Sequence, residues 1–310
     1  MKKPKRKAAK TSVKKTAKKT AKKPAKKLIK AVAKKSPVKK SAAKKVAKKA
    51  IIKKSRVAAK PQYSFNWHDL MTPDVEGAKA FYGEVVGWSF SHQPPDYHVT
   101  MVGQTGVGGI MATPAELGNM PPFWSGYIAV KNVDKACAQL KKLGGKVHRE
   151  PYDIPDTLRM AVVSDPSGGM FNMYTPMPRG VMKPAAQGAT GTVGWNELMT
   201  TDVASSAKFY NKMFGWGKGH VHDMGPQMGK YHLMQVKKKD HAGMMNKSAT
   251  MPRDFWGFYF YVHGIDAAAE RIKSHGGKVI NGPMQVPTGS WVVQGQDPQG
   301  AHFSLMSKTK

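Results

Sequence analysis

The chain reads as an α+β protein of two tandem domains behind a disordered basic tail. Each domain is a pair of βαβββ modules whose eight strands curl into a half-barrel. Three observations predict this: the 310 residues split into two compositions near Pro61, a long phrase recurs 128 to 132 residues further on, and inside each copy a shorter strand-helix-strands pattern occurs twice.

Residues 1–60 hold 27 of the 51 Lys and Arg, with no acidic or aromatic residue. So few large apolar side chains and so much like charge leave nothing to offset backbone entropy, which predicts disorder. Pro4, Pro24 and Pro37 interrupt any helix, and the apolar pairs Leu28-Ile29 and Ile51-Ile52 are too short for a signal peptide or membrane span. Lysine pairs spaced by small residues (Lys14-Lys15, Lys18-Lys19, Lys22-Lys23, Lys39-Lys40, Lys44-Lys45) make a flexible row of charges suited to DNA or RNA phosphates without base readout. The segment resembles the lysine-rich tails of linker histones. A cytoplasmic, nucleoid-associated protein is expected, and the single Cys137, read as a buried core residue, fits a reducing compartment.

The repeat begins with "WHDLMTPD" at Trp67 and "WNELMTTD" at Trp195. It continues through "AKAFYGEVVGW" and "SAKFYNKMFGW" to "SDPSGGMFNMY" and "QDPQGAHFSLM". Domains are placed at residues 63–178 and 191–308, with a Pro/Gly/Ala linker at 179–190. In the first, a strand over Phe65 to Met71 leads through Asp74, an N-cap, into a helix to about Val86. Strands follow near Trp88, Tyr97 to Val102 and Val107 to Met111, the glycines of "GQTGVGG" marking a hairpin. The next module runs from a strand at Tyr127 through a helix from Asp134 to Leu143, ended by Gly144-Gly145, to strands near Lys146, Met160 and Phe171. Helices opening at Asp202 and Asp266 give the second domain the same plan. One module buries too little to stand alone, so two pair around a concavity with helices on the convex side.

The "D-V-x-x-x-A-K-x-F-Y-x-x-x-x-G-W" opening and "D-P-x-G-x-x-F" closing resemble the vicinal oxygen chelate superfamily, which includes glyoxalase I, extradiol dioxygenases, fosfomycin-modifying enzymes and bleomycin-binding proteins. The resemblance implies a divalent metal held in each concavity by His, Gln or Glu. It assigns those places to Trp67, Tyr127, Asn172 and the Ile110-Met111 step, and in the second domain to Trp195, Tyr259, Ser304 and Met244-Met245. Indole is only a donor and the rest offer no charged oxygen or imidazole, so no cofactor is expected; a divalent metal would need other ligands.

Strand alternation puts Trp67, Asp69 and Met71 on one face, matched by Trp195, Glu197 and Met199. Asp69 and Glu197 are the candidate catalytic or anchoring acids, the alternative being structural hydrogen bonding. The last strands add Met170, Asn172 and Tyr174, and His302, Ser304 and Met306, and Glu197 with His302 would form a proton-shuttling pair if they met. The same strands carry Met111 and Met245, a soft wall for a small apolar or aromatic ligand. His98, His232 and the His220-Val221-His222-Asp223 run match no metal signature.

Three functions follow: a metal-independent small-molecule binder of the sequestration or resistance type tethered to nucleic acid; an enzyme related to lactoylglutathione lyases; or a nucleoid-associated architectural protein. Assembly as a homodimer is left open.

Overall fold

The computed structural model describes residues 63–178, 185–186, 188–226 and 228–310. The basic tail and most of the linker lie outside them. The first domain comprises β1 (Phe65–Thr72), α1 (Val75–Val86), β2 (Ser89–Gln93), β3 (Tyr97–Val102), β4 (Thr105–Ala112), β5 (Phe123–Ala129), α2 (Val133–Lys142), β6 (Lys146–Ile154), β7 (Leu158–Ser164) and β8 (Met170–Pro176). The second comprises β9 (Val193–Thr200), α3 (Val203–Phe214), β10 (Gly217–Asp223), β11 (Lys230–Val236), β12 (Lys239–Asn246), β13 (Phe255–Tyr261), α4 (Ile265–Ser274), β14 (Lys278–Gln285), β15 (Trp291–Gln296) and β16 (His302–Ser307).

Each domain is one open eight-stranded sheet, ordered β2-β3-β4-β1-β5-β8-β7-β6 and β10-β11-β12-β9-β13-β16-β15-β14. The two modules join where their first strands run antiparallel, with Trp67 opposite Tyr127 and Trp195 opposite Tyr259. As alternation requires, Leu70, Trp124, Ile128, Phe171 and Met173 fill the core, leaving Trp67, Asp69, Tyr127 and Asn172 on the other face of an open sheet.

Asp74 and Asp202 cap α1 and α3, accepting from Gly77 and Ser205 amides. Expectation and structure differ at the other two helices, which begin before Asp134 and Asp266. Asn132 caps α2 by accepting the Lys135 amide, freeing Asp134 to hold Arg159, and Gly264 precedes α4. Cys137 is buried in the core, and burial pushes its thiol up to about 11.

The helices do more than cover their own sheets. Phe81 and Tyr82 of α1 pack against Phe303 of β16 at 5.6 and 5.4 Å, and Tyr210 and Phe214 of α3 pack against Phe171 of β8, both at 5.8 Å. The convex faces of the two domains therefore share one core, in which Phe65 meets Trp256 at 4.8 Å and Trp124 meets Phe260 at 4.8 Å. Among the described residues no helix is long and apolar enough to cross a membrane.

Candidate functional site

The sheet face away from the helices, expected from sequence to form a cup in each domain, is built around one carboxyl. In the first, Asp69 is 4% exposed and its Oδ1 accepts from Trp67 Nε1 at 2.8 Å and Tyr97 hydroxyl at 2.7 Å; Tyr127 also hydrogen-bonds to it. In the second, Glu197 Oε1 accepts from Tyr231 at 2.8 Å and Oε2 from Tyr259 at 2.7 Å. Trp195 Nε1 donates to Tyr231 at 2.6 Å, and Gln294 Nε2 to the Tyr259 hydroxyl at 2.9 Å.

Tyr97 and Tyr231 reach these carboxyls by lying across the neighbouring strand, over Gly109 and Gly243. A Cβ at either glycine would collide with the tyrosine ring. Glycine is needed at these two places because the hydroxyl crosses where a side chain would stand. Alternation within its own strand does not single out either tyrosine as a site residue; each sits beside a histidine in "YHVTMV" and "YHLMQV", and the glycines recur in register with Asp69 and Glu197.

Burial raises both carboxyls above their ordinary range, opposed in Asp69 by bonds from Tyr127, Tyr97 and Trp67 and in Glu197 by bonds from Tyr259 and Tyr231. The four tyrosines are in turn held protonated, first by burial and then by the neighbouring carboxylate.

The remaining candidates divide. Asn172 is fully buried and donates to Ser125 at 2.8 Å, leaving its Oδ1 without a partner among the described residues. Tyr174 accepts from Asn66 at 2.9 Å and stands 6.3 Å from the Tyr127 ring. Met71 lies opposite Met111, and Met199 opposite Met245. Ser304 pairs with Tyr259, and Met306 joins Tyr259, Val292, Trp195, Tyr261 and Met284 in an apolar cluster. The conditional pairing of His302 with Glu197 does not form: His302 lies exposed at the start of β16, while both Glu197 oxygens are taken by tyrosines. Two surface depressions, of about 460 and 180 Å³, lie outside both cups.

These residues do not fit a divalent metal. Each cup offers one carboxyl, already bound by phenols; the partners are indoles, an amide and hydroxyls; and no three His, Cys, Asp or Glu side chains converge among the described residues.

The acid of each "DP" step has a different task. Asp165 accepts from the amides of Ser167 and Gly169 and, at 3.1 Å, from Tyr210 of the other domain, whose oxygen takes the Trp256 indole proton. Asp297 does the same for Tyr82 at 3.0 Å, with Trp124 behind it. Trp88 donates to Gly191 O and Trp216 to Tyr63 O, again reciprocally across the domains. The most regular part of the repeat thus serves assembly, leaving the cups free to differ.

The family model for the Glyoxalase/Bleomycin resistance protein/Dioxygenase superfamily matches residues 64–173 and 192–305. A Mycobacterium bovis protein named "Putative glyoxylase CFP32" is 30% identical over 247 residues, covering 78% of this chain and 93% of that one. "Anthracycline biosynthesis protein DauV" of a Streptomyces species is 29% identical over 266 residues, covering 77% and 91%. Among solved structures, the Mn(II)-bound glyoxalase from Novosphingobium aromaticivorans aligns with a TM-score of 0.58 at 16% identity, covering 81% of this chain and 83% of its own. The 2,3-dioxygenase LapB from Pseudomonas sp. KL28 also aligns at 0.58, with 14% identity over 82% and 94%. At such identities these structures are likenesses of fold alone.

Proposed function

This chain belongs to the Glyoxalase/Bleomycin resistance protein/Dioxygenase superfamily, and within it we propose a metal-independent binder of small apolar or aromatic molecules, of the sequestration or resistance type, held to nucleic acid on the nucleoid by residues 1–60. One observation carries the reading: the cup carboxyls are satisfied by tyrosine and tryptophan, so what a ligand meets is ring and thioether surface. Trp67, Met71 and Tyr174 offer it in one cup and Trp195 and Met199 in the other, backed by the buried Tyr127, Tyr259 and Met306. Flat rings stack on such surfaces, and methionine adapts to their outline. The relative named for anthracycline biosynthesis fits a fused aromatic ligand.

Tryptophan fluorescence tests this. Titrating the full chain with an anthracycline is expected to give saturable quenching that survives EDTA and weakens at least 10-fold in Trp67→Ala or Trp195→Ala. Stoichiometric metal on elemental analysis, required for binding, would overturn the reading. The raised carboxyls favour a second reading, a lyase using Asp69 or Glu197 as proton acceptor. It requires turnover of a glutathione hemithioacetal that is lost in Asp69→Asn with Glu197→Gln.

A further inference from the structure

The two first modules, alike in fold, have diverged in charge. Residues 63–122 carry one Lys and six acidic residues; residues 191–250 carry eight Lys and four acidic residues. Of those four, Glu197 is buried and Asp202 caps α3, leaving only Asp223 and Asp240 on the outer strands. Lys218, Lys230, Lys237, Lys238 and Lys239, on β10 to β12 and the turn between β11 and β12, are all exposed. Among the described residues, no ion pair engages any of the five. Asp223 accepts from the Gly225 amide at 2.9 Å and Asp240 from Gln235 Nε2 at 2.9 Å. His232 is held below the ordinary imidazole range by burial and then by Lys230 and Lys218, which marks those two lysines as its neighbours.

The β11–β12 turn adds a second, independent sign. Val236 pairs with Lys239, so Lys237 and Lys238 form a two-residue loop, and both sit in left-handed backbone at φ 51° and 64°. Asn-Gly suits such a loop best, and the matching hairpin of the first domain has Gly103 there at φ 59°. Keeping two lysines where the backbone disfavours any side chain points to use of their charge.

We propose that this β10–β12 face is a second nucleic-acid contact, taking the phosphates of a duplex backbone on Lys218, Lys230, Lys237, Lys238 and Lys239. The seven residues of β11 run from Lys230 to the turn over roughly 20 Å, and duplex of that length carries about a dozen phosphates. No arginine fork lies on these strands, and the imidazole of His220 is the one exposed ring among their described residues, so contact is without sequence preference. Exposed apolar side chains here are limited to Val221 and Met228, too little to enter a lipid surface. The face acts with the tail but does not depend on it, nor on what the cups bind.

The test uses the full chain and a 30-base-pair duplex, reading the slope of log K against log salt. Lys237→Asn with Lys238→Gly removes two charges while giving the turn its preferred residues, so loss of fold does not confound it. The expected slope is shallower by about 2, and by about 4 when Lys218→Gln and Lys230→Gln are added. The same decrements are expected in a chain whose ten paired tail lysines (Lys14 to Lys45) are alanine. An unchanged slope in the face variants overturns the proposal, and if the tail variant alone flattens it, the tail reading stands without the face. Flattening by the face variants but not the tail variant leaves the face standing and removes the tail. Face variants that lose binding to phosphatidylserine vesicles while keeping the DNA slope would also overturn it.

Discussion

Asp165 shows how a single residue is read differently once its surroundings are known. In the sequence it belongs to a "DP" step that marks the family; in the fold it holds Tyr210 of the other domain. Burial pushes it up to about 6 from 3.8, against the hydrogen bonds of Gly169, Tyr210 and Ser167. A carboxyl raised by folding stabilises the fold while protonated: the contribution is present below about 3.8 and is lost as pH rises through about 6, some 3 kcal/mol in all. Asp165→Asn keeps an acceptor for Tyr210 and removes the titration. Urea unfolding between pH 4 and 7 is expected to show a flatter dependence for the variant, and identical curves would refute the assignment. Asp69 and Glu197 were legible as paired acids facing the cups, whereas their capping by Tyr97 and Tyr231 was not, because those rings come from another strand.

At the scale of elements, period-two alternation and capping residues placed nearly every strand and helix, because both are local consequences of backbone geometry. The errors fell where two caps competed. Asn132 rather than Asp134 opens α2, since Asp134 is drawn to Arg159. The β11–β12 hairpin yields a prediction of its own. Replacing Lys237-Lys238 by Asn-Gly is expected to stabilise the protein by about 1 kcal/mol, read as a higher urea midpoint at unchanged m, because left-handed backbone costs a side chain about that much. The cups give a second. Gly109→Ala puts a methyl group into the Tyr97 ring, and is expected to destabilise by about 2 kcal/mol and to blue-shift Trp67 emission as its hydroxyl partner leaves. A neutral result would mean that Tyr97 does not lie across β4.

The whole molecule is held by a core that both domains share, and two histidines packed into it make its stability depend on pH. His68 lies against Phe258 with Asn196 3.4 Å from its ring nitrogen, and His241 accepts the Phe65 amide at 3.2 Å. Burial lowers them to about 3 and about 4, with His241 lowering His68 further against the raising effect of Asn196. Groups kept neutral by folding stabilise above the unfolded value of 6.5, and that stability is lost as pH falls towards 4. Each accounts for about 3 kcal/mol at pH 4, opposed by the raised carboxyls Asp69, Asp165, Glu197 and Asp297, which stabilise as pH falls. Chemical denaturation at pH 7.5, 6 and 4.5 is expected to show His241→Gln losing about 2 kcal/mol less than the parent between the ends of that range. Equal losses in variant and parent would locate the acid sensitivity elsewhere.

By itself the sequence determined the duplication, the βαβββ modules and the charge split near Pro61. All of these are facts of residue type, order and spacing. Only the tertiary structure decided that α1 and α3 pack on the opposite domain, that Asp165 and Asp297 clasp tyrosines across the interface, that Glu197 meets Tyr231 and Tyr259, and that five lysines on β10 to β12 and the turn between them are exposed and without ion pairs among the described residues. Those pairings span tens to hundreds of residues. They depend on sheet register and on the angle between two packed sheets, which no local pattern encodes.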